Sequence, residues 1–369
     1  MSAKKFTIIT VSVIFVFFVS CFVFWETVVS RNYNLDELND GHGDLARMAS
    51  MQISPARNPQ AIYNKKHLEF PEYLTLLKQG EHIQIDILTI GDSFSNGGAG
   101  AYYQDYLMEQ LNVNVLNMPT IPGYRHDAIR ILDALEVTGY LDIINPKLVI
   151  LESVERKIGS RWGERIVFDS TMDAKRLEEA FLPASNDVTE GDSEKPLQGI
   201  IPQIMIQADW KYLNDRYIAP QSRLVKFCNL NKACFTNPGC EDMLLILDED
   251  LESAMSPVDS KMVNENMNMM ANRMKEKNIE MMFLPCPDKF DLYFPYIVNP
   301  PVDKESLTIE EIESLPKEYF IIPAKRLLRE AMDKGEMDLY WADDTHWSWI
   351  AFQLVIDNIM PEVRLALEM

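Results

Sequence analysis

Ile83-Gln84-Ile85-Asp86-Ile87-Leu88-Thr89-Ile90-Gly91-Asp92-Ser93 decides the fold. The run from Ile83 to Ile90 is rich in β-branched residues and reads as a buried strand. Gly91-Asp92-Ser93 stops it and sets a hydroxyl where the strand gives way to a helix, with Asp92 fixing the turn through side-chain hydrogen bonds. Gly97, Gly98 and Gly100 follow, and then Tyr102 to Leu111 at helical spacing. Further out, Asn112 to Met118 reads as a second strand, Asp127 to Val137 as a helix and Lys147 to Glu152 as a third strand. This alternation predicts an α/β domain, a three-layer α/β/α stack around a central parallel sheet. The rhythm blurs from about 157 to 256, where an insertion or cap is expected, with acidic 186–195 as a surface loop. It resumes with a methionine-rich helix over Lys261 to Lys277, a strand over Ile279 to Leu284, and closing helices over Ala324 to Met332 and Trp347 to Leu367. Flexible thioethers suit irregular core gaps, so the methionines read as core filler.

The chain has 369 residues, 25 % of them charged, and a net charge of −21. That balance argues against binding nucleic acid, which needs a basic surface. Lys4 and Lys5 precede an uncharged apolar run from Phe6 to Trp25. Its length suits one bilayer crossing, and bulky residues continue past its only small-residue patch, so it reads as an uncleaved anchor. The two lysines predict a cytoplasmic N-terminus, with everything beyond Trp25 outside the inner or plasma membrane. The expected organisation is therefore an anchor over 1–25, a polar stalk over 26–80 and the α/β domain over 81–369. Beyond the anchor lie Cys228, Cys234, Cys240 and Cys286, an even number that permits two disulfides in three pairings. The first three lack Cys-x-x-Cys spacing, so structural bridges rather than a zinc site are expected, with free buried thiols as the alternative.

The other informative stretch is Asp343-Asp344-Thr345-His346-Trp347. Among five histidines, only His346 has two carboxylates just before it, either of which can accept the second ring N–H and fix the tautomer. Trp347 is placed to pack beside the ring. A hydroxyl after the first strand of a doubly wound sheet projects into the crevice at the carboxyl ends of the strands. Ser93, His346 and one of Asp343 or Asp344 are the parts that acyl transfer through serine needs, with no cofactor or metal called for.

Gly91-Asp92-Ser93 with a late Asp-x-x-His or Asp-x-His resembles the outer blocks of the SGNH (GDSL-like) hydrolase superfamily. Asp344-Thr345-His346-Trp347 is similar to the signature of its alginate O-acetyltransferase-like branch, that of AlgX, AlgJ and the DHHW-type proteins. Glu152 to Arg156 and Pro287 to Tyr293 resemble two further segments of that branch. The likeness runs in blocks from about Ile83 to Phe352 and skips the middle insertion. It implies Ser93 as nucleophile, His346 as base and Asp344 as orienting acid, with Asp343 in the position many wider members use. It also implies Ser93 and Gly123 as backbone oxyanion donors, and Arg156, Lys289, Tyr293 and Trp347 around the acceptor site or behind the triad. Leu151-Glu152-Ser153 stands where the superfamily carries an oxyanion-hole asparagine. The implied activity is O-acetylation of a cell-surface or exopolysaccharide outside the cytoplasm, with a membrane-bound O-acyltransferase partner passing the acyl group across. A carbohydrate O-acetyl esterase with the same triad is the first alternative. A non-catalytic glycan-binding or assembly protein is the second.

Overall fold

A computed structural model describes residues 2–24, 43–49, 53, 56–57, 66–97, 102–119, 127–168, 172–181 and 224–368. Six strands form one parallel sheet: β1 (Leu68–Glu69), β2 (Ile87–Ile90), β3 (Val115–Met118), β4 (Leu148–Val154), β7 (Glu280–Cys286) and β9 (Phe320–Ile321), in the order β1-β3-β2-β4-β7-β9. The remaining strands, β5 (Val225–Leu230), β6 (Met243–Leu247) and β8 (Ile297–Val298), make a separate antiparallel sheet in the order β6-β5-β8. Part of that sheet falls within the expected insertion. Residues 182–223, including the acidic stretch at 186–195, lie outside the described residues.

The central strands are apolar without alternation because both faces are covered. Ile87, Leu148, Ile150, Met282 and Leu284 point into one buried cluster, and Leu88, Ile90, Val149, Leu151, Met281 and Phe283 into the other. The first cluster is closed by the C-terminal helix Trp349–Glu368. The second is closed by the helices Ala128–Val137 and Ser260–Glu276, whose Met267, Met270 and Met274 are buried in it. Asp127 caps the first of these by accepting the Arg130 N–H, and Asp259 caps the second through Met262 N–H.

Residues 66–78, which the sequence places in a polar lead-in, belong to the sheet layer. Leu68 and Glu69 pair with Leu116 and Asn117, and the helix Phe70–Lys78 buries Phe70, Tyr73 and Leu74. A second piece of the lead-in, the short helix Asp44–Ala49, buries Leu45, Ala46 and Ala49. At the N-terminus, Ala3–Phe24 forms one helix long and apolar enough to cross a membrane.

The expected disulfides are absent among the described residues. Cys228, Cys234 and Cys286 are thiols inside the first apolar cluster. Burial pushes the first two up to about 11 and Cys286 well above the usual thiol range, so they pack as small neutral hydrophobes.

Candidate active site

β2 is the switch point of the sheet: the chain leaves it to form β3 on one side and then crosses to β4 on the other. The crevice at the carboxyl ends of these strands is where open α/β sheets hold ligands. Ser93 lies there with an exposed side chain, in a turn over 93–97. The carbonyl of Asp92 accepts the N–H groups of Ser95 (3.1 Å) and Asn96 (3.0 Å). Asn96 Nδ2 donates to the carbonyls of Gly91 (3.1 Å) and Asp92 (2.7 Å). The next described helix begins only at Tyr103, so this turn, rather than a helix N-terminus, presents the hydroxyl. The Ser93 N–H has no acceptor among the described residues.

Two buried acids hold the turn from beneath. Glu152 Oε2 accepts the N–H groups of Asp92 (2.8 Å) and Ser95 (3.1 Å). Gly91 is required by this approach, since a Cβ there would come within 2.2 Å of that oxygen. Asp92 Oδ2 accepts Val154 N–H (3.0 Å) and Arg161 Nη1 (2.7 Å), and its Oδ1 accepts Phe94 N–H (3.3 Å). Burial opposes the Asp92 charge, but the Arg161 guanidinium and these hydrogen bonds outweigh it and hold the carboxyl at about 2. Burial and the Asp92 charge push Glu152 well above the carboxylate range. The two carboxyls are thus pushed in opposite directions, as expected for a close carboxyl pair.

A further polar chain reaches the turn from the side. His67 bonds Asp105 through Nδ1 and Glu69 through Nε2, both at 2.8 Å. Glu69 accepts Asn117 Nδ2 (3.1 Å), which also donates to Asn96 Oδ1 (2.9 Å). Burial pulls His67 down, and the two carboxylates more than offset it, raising the ring to about 9.

His346 comes from a tight loop. Tyr340 and Trp347 form an antiparallel bridge, and residues 341–346 turn at its tip, with Ser348 N–H closing on the Leu339 carbonyl (2.9 Å). Lys289 Nζ reaches into the loop and donates to the carbonyls of Trp341 (2.7 Å), Ala342 (3.1 Å) and Asp344 (2.9 Å). Burial lowers this ammonium to about 8, against the pull of Asp343 and Asp344.

The two ends meet. His346 Nε2 lies 2.7 Å from Ser93 Oγ, and Nδ1 lies 2.6 Å from Asp344 Oδ1. The same oxygen accepts the His346 backbone N–H (2.9 Å). Burial opposes the Asp344 charge, but the hydrogen bond and charge of His346 prevail and hold its carboxyl below the usual range. Phe94 packs against the imidazole with ring centroids 5.0 Å apart. Asp343 turns away from the ring, and its Oδ2 accepts Gly43 N–H (3.1 Å). Between the two candidate acids, Asp344 is the one that holds the imidazole.

Four further sequence-predicted site residues are buried or held by internal partners. Lys289 and Tyr293 are buried, the first supporting the loop and the second accepting Tyr340 N–H (3.3 Å). Trp347 is buried against Phe94 rather than open to an acceptor. Arg156 is occupied by Asp288 (2.5 Å) and Asp250 (3.2 Å). These four build the support of the site, because each is committed to internal partners. Gly123 lies outside the described residues.

Sequence reasoning passed over Glu152 and Arg161 as functional supports. The signal lay in the Leu151-Glu152-Ser153 departure and in a helix, Glu155–Trp162, starting straight after β4. It also missed Gly43 and Asp44, for which a polar, irregular segment gives no signal. Among the described residues, two groups bring metal-ligating atoms within 4.8 Å of one another: Asp44, Asp344 and His346, and Glu155, Asp288 and Asp291. The first is already engaged at the imidazole. The second is buried with the Lys325 ammonium 3.7 Å from Glu155, a positive charge supplied by the chain itself.

The chain matches no family model, no curated protein and no solved structure.

Proposed function

We propose that the protein transfers acyl groups through Ser93, as an O-acyltransferase acting on a polysaccharide outside the cytoplasm. The observation that carries this reading is the continuous line Ser93 Oγ, His346 Nε2, His346 Nδ1, Asp344 Oδ1, with links of 2.7 and 2.6 Å. Such an array generates a nucleophile at neutral pH. Ser93 Oγ attacks the acyl carbonyl while His346 takes its proton. The oxyanion forms beside the Ser93 N–H, a position where one preorganised donor contributes about 10²- to 10³-fold. Collapse expels the donor's leaving group, which receives the proton from His346. A sugar hydroxyl then attacks the acyl-enzyme, giving its proton to His346, and Ser93 leaves with that proton.

The acceptor and donor rest on the resemblance to the alginate O-acetyltransferase-like branch of the SGNH superfamily. That likeness supports an acetyl group, a glycan acceptor and a membrane-bound O-acyltransferase partner. The apolar helix Ala3–Phe24 supports a membrane anchor, and Lys4 and Lys5 support a cytoplasmic N-terminus. Incubation with p-nitrophenyl acetate and an oligosaccharide, followed by mass spectrometry, tests the scheme. Wild type forms an acetyl-enzyme at Ser93 and an acetylated sugar, and Ser93→Ala forms neither. Acetylated sugar from folded Ser93→Ala would refute it.

The exposure of Ser93 favours a second reading. Water reaches an open acyl-enzyme, and the same triad then works as a carbohydrate esterase. Acetate release that oligosaccharide does not divert into acetylated sugar selects the esterase.

A further inference from the structure

Residues 43–49 lie far from the catalytic loop in sequence and directly on it in space. Gly43 N–H donates to Asp343 Oδ2 (3.1 Å), and Ala46 N–H donates to the Asp343 carbonyl (3.0 Å). Asp44 N–H donates to Asp344 Oδ2 (3.0 Å), the oxygen that His346 does not use. The Asp44 carboxylate in turn accepts the Thr345 N–H (2.8 Å) and the Thr345 hydroxyl. Three successive loop residues, 343 to 345, are therefore gripped by one short segment. Gly43 fits only because it lacks a side chain: a Cβ would stand 2.2 Å from the Asp343 carbonyl oxygen and 2.7 Å from Asp344 Cβ. On its other side the segment is fixed by Leu45 and Ala49, both buried in the first apolar cluster. The grip is thus built on a rigid base.

A triad acid acts by holding one imidazole tautomer at a fixed angle, and it does so only while its own carboxylate cannot rotate. Asp344 Oδ1 carries both His346 contacts, so rotation is prevented by what holds Oδ2. Among the described residues, Asp44 N–H is the donor to that oxygen. Burial and the adjacent Asp344 charge both raise Asp44, a cost that the Thr345 hydroxyl and N–H offset in part.

We infer that Asp44 is a positioning residue for the triad, and that the segment 43–49, which follows the apolar N-terminal helix, is a latch that must be seated for Ser93 to react. This inference rests on the serine acyl-transfer reading. It extends that reading by making the chain's own amino-terminal segment part of the working site.

The test uses the full-length protein in detergent and an alkyl fluorophosphonate, which labels an activated serine whatever the natural donor. Wild type, Asp44→Asn and Gly43→Ala are compared for labelling of Ser93, resolved into maximal rate and half-saturating probe concentration. The proton spectrum is searched for the downfield resonance of the short His346 Nδ1–H bond. An asparagine keeps the size of Asp44 but presents an NH2 to one of the two Thr345 donors. The expected result for both variants is a maximal labelling rate about 10- to 100-fold below wild type, as for a small misplacement of a reacting group, with half-saturation unchanged. The downfield resonance is expected to shift or vanish. Wild-type rates and an unmoved resonance in both folded variants would overturn the inference while leaving the triad standing. If Asp44→Asn does not fold, Gly43→Ala decides by the same two readouts. Wild type that is not labelled at all removes the acyl-transfer reading, and the inference with it.

Discussion

Asp344→Asn and Asp343→Asn form the most discriminating pair of substitutions. Asp344 accepts three N–H groups on two oxygens: two from His346 on Oδ1, and one from Asp44 on Oδ2. An asparagine offers one acceptor oxygen. If that oxygen stays with His346, the new NH2 faces the Asp44 N–H, and an unmade bond to a buried donor costs about 1–3 kcal/mol. If the amide flips, Nδ1 must accept, the ring proton moves to Nε2, and the ring can no longer take the Ser93 proton. In either orientation the attraction between carboxylate and developing imidazolium is lost. At about 4 Å between charge centres and an effective dielectric constant near 20, that attraction is about 4 kcal/mol. Each 1.36 kcal/mol is tenfold in rate, so Asp344→Asn is expected to slow acylation by about 10³- to 10⁴-fold. The upper end matches the usual loss for this substitution in a Ser-His-Asp site. Asp343→Asn keeps an oxygen for Gly43 N–H and touches no ring atom, so its loss stays below about tenfold. The assay is the pre-steady-state burst of p-nitrophenol from p-nitrophenyl acetate, with thermal unfolding checked on each variant. A greater loss in Asp343→Asn, or an Asp344→Asn rate within tenfold of wild type, would refute the assignment.

Three other outcomes follow from the same geometry. Lys289→Met leaves the Trp341, Ala342 and Asp344 carbonyls without their shared donor, and urea denaturation is expected to show a loss of about 3–5 kcal/mol; a loss under about 1 kcal/mol would mean that the loop holds itself. His67 is raised above its unfolded value, so its contribution is fully present below about pH 6.5 and fades as pH rises through 9. Linkage puts this at about 3 kcal/mol, and in His67→Gln the fall in stability over that pH range should flatten. A strong reductant should leave the melting temperature unchanged, and thiol titration should find Cys228, Cys234 and Cys286 reactive only after unfolding; reductant-induced destabilisation would expose a bridge.

The central parallel sheet and the pairing of His346 with Asp344 were legible because both rest on local patterns. Strands such as Val149-Ile150-Leu151 are apolar throughout when both faces are covered, and a carboxylate two residues before His346 reaches its ring within one loop. Boundaries drifted where backbone pairing, rather than composition, sets the end. Ile83 and Ile85 look like strand, yet pairing begins at Ile87 opposite Val115 and Leu148. Where burial decides a role, the sequence leaves it open between the acceptor site and support behind the triad. Lys289, Tyr293 and Arg156 have the chemistry of a binding site, and nothing in their spacing tells that each spends its polar atoms on internal partners. Asp44 was illegible for a different reason. Its partners lie three hundred positions away, and only the closed fold brings them together.

The latch also sets a length scale. Residues 25–42 join the end of the apolar helix at Phe24 to Gly43, and at full stretch they reach about 65 Å. With that helix in a bilayer, a seated Gly43 keeps the Ser93 hydroxyl within that reach, plus the breadth of the domain, of the lipid headgroups. A leash of that length raises encounters with molecules that are themselves held at the surface. On the acyl-transfer reading, a donor or acceptor held in the lipid surface would therefore have an advantage over the same molecule drifting free, before any specificity in the crevice is considered.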